Sequence, residues 1–309
     1  QITIYSSRTQ SLVQPLLEDY AEQTGQDITV RYMSTASLVA TLQEEGDQTP
    51  ADVVYLAEPG GLGALSEAGL LSELPDDILN RVEDQFRAAN GEWVGVSGRA
   101  KVVVYNRENI NPEEDLPDSI MDFTDPQWEG RIGWAPTHGE WQALLTAIRV
   151  VEGEEAAREW VRGIQDNDPR SFPNLISIVQ GAAEGDVDVG FVNHYYAHRF
   201  IDEAGEDFGA RNYYLGAGDA GSLVNVSGAA IPDAAEQRGE AEDFIEFLLG
   251  EEAQEYFTQE TKEYPLIDGV EPAAEVPPLS SLSPPDVDLG EMSDVQGTIE
   301  LLRSEGIIP

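Results

Sequence analysis

Six consecutive residues, Asn193-His194-Tyr195-Tyr196-Ala197-His198, carry the side chains best suited to chemistry in this 309-residue chain. Phenolate oxygen is a hard, anionic donor. A hard trivalent cation is among the few species that hold a tyrosine deprotonated far below its free pKa of about 10. Two adjacent phenolates would bring two negative charges to one ion. A Tyr-Tyr pair is nevertheless more often ordinary packing, and the chain contains its own control in Tyr213-Tyr214, to which no chemistry is ascribed. The three histidines, His138, His194 and His198, suggest zinc only weakly. His194 and His198 share a face only if their segment is helical, and no H-E-x-x-H pattern accompanies them.

Other chemistries lack comparable support. The chain has no cysteine, which excludes disulfides, thiolate metal sites and a thiol nucleophile. Neither G-x-S-x-G nor a P-loop is present, so no enzyme is expected. Paired carboxylates say nothing here, because 59 acidic residues face only 17 basic ones, for a net charge of −42. The scattered Lys and Arg form no basic footprint for nucleic acid. The acids run along nearly the whole chain, as in Glu44-Glu45, Glu154-Glu155 and Glu251-Glu252. That distribution fits a hydrated coat for concentrated salt better than a trap for a cationic ligand.

The elements that must position the tyrosines are legible from periodicity. Ile2 to Tyr5 reads as a strand, Leu12 to Ala21 as a helix and Ile28 to Tyr32 as a second strand, a β-α-β opening that predicts a parallel sheet. Ala51 to Leu56 reads as a buried strand before the turn Pro59-Gly60-Gly61-Leu62-Gly63. Lys101 to Tyr105 and Arg131 to Trp134 follow as strands, with a proline-rich connection from Asn111 to Trp128 between them. Trp141 to Val151 is helical. Val187 to Asn193 is a strand whose end puts Tyr195 and Tyr196 at the mouth of an α/β sheet, where ligands usually bind. A strand from Val224 to Ile231, an amphipathic helix through Leu248, a proline-rich traverse from Val270 to Leu289 and a short helix from Val295 complete the pattern. No run of 18 apolar residues exists. Residue 1 leads straight into a strand, so any export signal or lipid anchor is expected to have been removed or never present.

Over nearly its full length the chain resembles the bacterial and archaeal ferric-ion-binding proteins of iron ABC transporters. The matching pieces, in order, are Ile2-Thr3-Ile4-Tyr5, Glu44-Glu45-Gly46, Pro50-Ala51-Asp52-Val53, Val96-Ser97-Gly98-Arg99 and Val102 to Tyr105. They continue through Trp128 with Gly130-Arg131-Ile132-Gly133, Pro136-Thr137, Asn193 with Tyr195-Tyr196, Ser227-Gly228-Ala229-Ala230 and Glu263-Tyr264-Pro265-Leu266. The resemblance implies an α/β, two-lobed periplasmic-binding-protein fold with hinge crossover strands near Val104 and Val224 and a ligand cleft between the lobes. Residues 1–104 with 226–275 are expected to form one lobe, and 105–225 with 276–309 the other. It also implies an extracytoplasmic protein, periplasmic or at the cell surface, that captures Fe(III) and hands it to a membrane permease. The protein is expected to be a monomer and to catalyse nothing.

Residue by residue, Tyr195 and Tyr196 match the family's paired iron ligands. Asn193 and the turn Thr137-His138-Gly139-Glu140 fall where members hold a synergistic anion, carbonate, bicarbonate or phosphate, at a helix start. Arg8 and Arg99 are the basic residues placed to clasp it, since guanidinium matches a planar anion; a surface salt bridge for Arg8 and a structural strand-end role for Arg99 are equal alternatives. Thr9 and Ala57 stand where many members have a histidine and a glutamate, and Trp141 where others have a tyrosine. These departures point to the tyrosine-rich, histidine-free subset, with Glu58 and His138 as possible substitute ligands. The alternative cargo is an organic cation, a thiamine-like compound or a phosphonate against a wall of tyrosines.

The acidic coat yields the first prediction. A Debye length of about 3 Å at 1 M salt removes most of its self-repulsion. Thermal unfolding followed by circular dichroism should therefore move to higher temperature from dilute buffer to molar salt. Equal or greater stability in dilute buffer would contradict a saline origin.

Overall fold

The structure, a computed structural model, describes residues 1–309. Its strands in chain order are β1 (Ile2–Ser6), β2 (Ile28–Tyr32), β3 (Val53–Leu56), β4 (Leu71–Ser72), β5 (Val94–Asn106), β6 (Ile132–Trp134), β7 (Arg170–Ser171), β8 (Val189–Asn193), β9 (Ala210–Tyr213), β10 (Val224–Pro232) and β11 (Tyr264–Pro265). The chain divides into two compact units. The first comprises Gln1–Gly98, Asn225–Ala274 and Asp288–Ser293; the second comprises Arg99–Val224, Glu275–Val287 and Asp294–Pro309.

This division departs from the expected one. The first passage between units falls between Gly98 and Arg99, not after Val104, and residues 288–293 return to the first unit. The reason is that β5 is one uninterrupted 13-residue strand serving both units, buried throughout except at Tyr105. Nothing in its composition marks where one sheet ends and the other begins.

In the first unit β1 pairs in parallel with both β2 and β3, as the β-α-β opening predicts, and β10 runs antiparallel to β3. The helix Gln10–Thr24 buries Leu12, Val13, Leu16, Leu17 and Tyr20 and stops at Gly25, whose φ of 68° is left-handed. Tyr20 meets Phe244 and Phe247 at ring-centroid distances of 5.1 and 4.9 Å.

In the second unit β8 lies antiparallel to β5, with Lys101 opposite Asn193, and β6 runs parallel to both β8 and β7. An aromatic core fills the space beside this sheet. Trp141 stacks on Trp160 at 6.0 Å and meets Trp134 edge-on at 5.9 Å, while Phe191 of β8 packs on Trp160 and Phe123. Trp160 donates its indole N–H to the Ile120 carbonyl at 2.9 Å, which lets so large a ring stay buried. Trp141 anchors the helix Gly139–Glu152 to this core and so fixes the direction of its first turn. The connection from Asn111 to Trp128 holds one helical turn and two 3-10 segments. No helix of the chain is long and apolar enough to cross a membrane.

Gly228 on β10 supplies a stability prediction. A Cβ there would lie 2.6 Å from Leu62 Cδ1 and 2.9 Å from the Val94 carbonyl oxygen. The side chain can turn away, but the carbonyl belongs to a paired strand. Gly228→Ala should cost about 1–3 kcal/mol by overpacking, read as a lower midpoint in urea unfolding; an unchanged midpoint would show that the strands separate easily.

Candidate functional site

Strand β8 ends at Asn193, and the helix His194–Ala204 begins at the next residue. Asn193 occupies the N-cap position without capping through its side chain. Its amide instead accepts a hydrogen bond from Lys101 Nζ at 2.8 Å and donates one to Glu140 Oε2 at 2.9 Å. Tyr195 and Tyr196 fall in the helix's first turn, their ring centroids 4.2 Å apart. Both rings belong to the unit's apolar core, with exposures of 1% and 8%. Their hydroxyls emerge together on one carboxylate: Tyr196 donates to Glu140 Oε2 at 3.0 Å, and Tyr195 to Oε1 at 3.5 Å.

Glu140 is therefore the hub of the site. It sits in the first turn of the 139–152 helix, where a negative charge complements the helix dipole. Arg99 approaches Glu140 Oε1 at 3.8 Å, and Lys101 Nζ donates to the Glu140 backbone carbonyl at 2.8 Å. The cations lie deeper than the carboxylate. Arg99 and Lys101 retain 1% and 3% exposure, whereas the Glu140 side chain keeps 15%.

The electrostatics follow from this layering. Burial would raise the Glu140 carboxyl, but Arg99, Lys101 and His138 outweigh it, and the hydrogen bond from Tyr196 adds to them, so the group is held below its ordinary 4.5. Tyr196 moves the opposite way. Burial, then the neighbouring Tyr195 and the carboxylate of Glu140, push its phenol well above 10, and it is neutral at pH 7. Burial lowers His138, against Glu140 and with Lys101, which leaves a neutral imidazole beside the carboxylate.

The other expected residues are distributed as follows. Thr137 and Gly139 are exposed on either side of His138, the N-cap of the 139–152 helix. Arg8 and Glu58 belong to the first unit. There the Arg8 guanidinium pairs at 2.7 Å with the fully buried Glu263, which also accepts from Ser97. The pair is buried and so is not the surface salt bridge weighed as its alternative. Glu58 accepts from Asn225 at the start of the helix Pro59–Glu67. Trp141 is committed to the aromatic core. His194 and His198 do share a helix, with ring centroids 6.3 Å apart. His194 is fully buried and accepts the Ala100 N–H on Nδ1 at 3.1 Å, and no group of three His, Asp or Glu gathers as a metal cluster. Tyr213, of the control pair, donates to Asp118 on an open groove.

Sequence reasoning missed Glu140 as a side chain and Lys101 altogether. Glu140 was hidden among 59 acidic residues. Lys101 had a usable signal, since it is one of only two lysines in the chain, the other being Lys262, and it leads directly into the apolar run Val102-Val103-Val104.

Comparison with known proteins bears on this geometry. A family model described as bacterial extracellular solute-binding protein matches residues 16–280. The major ferric iron-binding protein of Neisseria meningitidis serogroup B is 31% identical over 309 residues, covering 99% of this chain and 93% of that protein. The solved structure of iron-bound HitA from Pseudomonas aeruginosa superposes with a TM-score of 0.92 at 32% identity, covering 99% of each chain. A Trichodesmium protein solved with iron and citrate ligands gives 0.86 at 26% identity, again covering 99% of each chain.

The depressed carboxyl of Glu140 sets a stability test. Its stabilisation is complete above the unfolded value near 4.5 and is lost as pH falls through the lower folded value. Glu140→Gln should be less stable than the parent by about 1–3 kcal/mol at pH 7. Denaturant unfolding at a series of pH values should show that gap closing on acidification; a gap independent of pH would mean that the charge is not what stabilises the fold there.

Proposed function

Because the chain belongs to the bacterial extracellular solute-binding proteins, in the branch that holds the ferric iron-binding relatives, we propose that it captures ferric ion outside the cytoplasm and delivers it to an ABC permease. The observation that carries this reading is the convergence of two phenol hydroxyls and a carboxylate, all hard oxygen donors, at the end of β8. Tyr195 and Tyr196 are the metal ligands. Arg99, Asn193, His138 and the exposed helix start at Thr137 and Gly139 are the groups that hold negative charge beside the ion.

Binding exchanges protons for metal. Each phenol releases its proton to water as its oxygen bonds to the ion, because a trivalent cation stabilises the phenolate far more than burial destabilises it. The polar convergence disfavours the alternative cargoes. An organic cation needs open ring faces, and these rings are buried to their hydroxyls. A phosphonate would meet the Glu140 carboxylate in the position its own charge requires. The protein would act as a monomer in the periplasm or, tethered through a lipid, at the cell surface.

Ferric ion added as ferric nitrilotriacetate with bicarbonate should give a visible tyrosinate-to-iron charge-transfer band. Tyr195→Phe and Tyr196→Phe should each weaken affinity by at least the roughly 10- to 100-fold that loss of a supporting residue costs, and the double replacement should abolish the band. Affinity should rise with pH between about 6 and 8, since Tyr196, held neutral, must ionise. A full-strength band in the double replacement would refute the assignment.

A further inference from the structure

We infer that Glu140 is the site's own synergistic anion: its carboxylate occupies the seat expected for carbonate or phosphate and joins Tyr195 and Tyr196 on the ferric ion, so that capture needs no exogenous anion. The inference rests on the ferric reading above and specifies its chemistry.

The family resemblance implies a small anion beside Arg99, Asn193 and the helix start at residues 137–139. In the structure the Asn193 amide and the Arg99 guanidinium both turn to the Glu140 carboxylate, at 2.9 and 3.8 Å. The same carboxylate lies in the first turn of that helix, attached to it covalently. A planar, singly charged oxyanion thus already stands among the groups that would recognise a free one. Lys101 completes the setting, with 2.8 Å bonds to the Glu140 backbone and to Asn193, so both carboxylate-orienting elements are tied to one buried cation.

Access points the same way. The rings of Tyr195 and Tyr196 are buried, and both hydroxyls are directed at Glu140. The carboxylate is more exposed than the cations behind it. An ion arriving from solvent therefore meets Glu140 together with the phenols. Tyr195, Tyr196 and Glu140 would together bring three negative charges to the ion. An exogenous dianion would have to displace a carboxylate already bonded to Asn193 and Tyr196. Each phenol O–H bond breaks as its Fe–O bond forms, with the protons passing to water, while Glu140 keeps its charge throughout.

The test compares the parent protein, Glu140→Gln, Glu140→Ala and the Tyr195→Phe/Tyr196→Phe double variant. Ferrous chloride is oxidised in place by CO2-free oxygen, in phosphate-free buffer, with and without added bicarbonate. The parent should develop the charge-transfer band equally in both conditions. Both Glu140 variants should bind about 10- to 100-fold more weakly without bicarbonate, and Glu140→Ala, which empties the seat, should regain affinity when bicarbonate is added. Circular dichroism of Glu140→Gln, which keeps the shape of the side chain but has one acceptor oxygen fewer, separates a lost band from lost folding. A parent colourless until bicarbonate is supplied, or Glu140 variants at full strength without it, would overturn the inference and leave ferric binding standing. An undiminished band in the double tyrosine variant would instead overturn ferric capture by these tyrosines.

Discussion

A carboxylate kept ionised at the edge of an apolar core sets the terms for the second unit. Removing a charge from water costs several kcal/mol even after relaxation. The attraction of Arg99 at 3.8 Å is worth about 4 kcal/mol at an effective dielectric near 20. The ion pair alone therefore roughly breaks even. What tips the balance is the set of hydrogen bonds around it, from the Asn193 amide and the Tyr196 hydroxyl to the carboxylate, and from Lys101 to the same helix turn. Those partners come from β5, from the end of β8 and from the helix that follows it. The charge fixes the relative positions of three elements that the apolar core alone would hold only approximately.

That constraint explains why two large tyrosines can sit side by side in the core. Their rings contribute apolar area to the cluster around Trp141, Trp160 and Phe191, and their hydroxyls find an acceptor in Glu140 without leaving it. The same arrangement stores reactivity. A phenol that donates to a carboxylate resists ionisation, so Tyr196 keeps its proton at neutral pH. A weakly polarising monovalent or organic cation gains little from such a pair, because it cannot pull the phenol far below its raised pKa. On the proposed ferric reading, selectivity for a hard, highly charged ion would follow from this resting protonation state as well as from donor type.

How much of this the sequence exposes depends on the kind of information. The β-α-β opening, β8 and its arrival at Tyr195 were readable because period-2 and helical patterns were written in apolar residues against a strongly acidic background. The strand β5 was read only in part, as Lys101 to Tyr105, because Gly95, Gly98 and Arg99 interrupt its pattern. Those residues are buried for reasons invisible along the chain. Gly98 lies against Tyr264, where a Cβ would come within 3.0 Å of it, and Arg99 reaches a carboxylate supplied from 41 positions downstream. The tyrosine pair stood out by type. Glu140 did not, because identifying one meaningful carboxylate among many requires knowing what it touches.

The acidic coat and the buried acid are thus different uses of one residue type, separable by physics. A solvated glutamate interacts with its neighbours over a screened distance and loses most of that interaction in brine. Glu140 keeps some exposure, but its cations are buried behind it and its hydrogen bonds to Asn193 and Tyr196 are direct, so these contacts are screened less than those of the coat. A chain can therefore raise its surface charge with salinity without altering the local field that tunes Tyr196. The scarcity of lysine sharpens the point. With only two lysines in the chain, Lys101 is placed in a buried strand, where its ammonium ties Asn193 to the Glu140 turn.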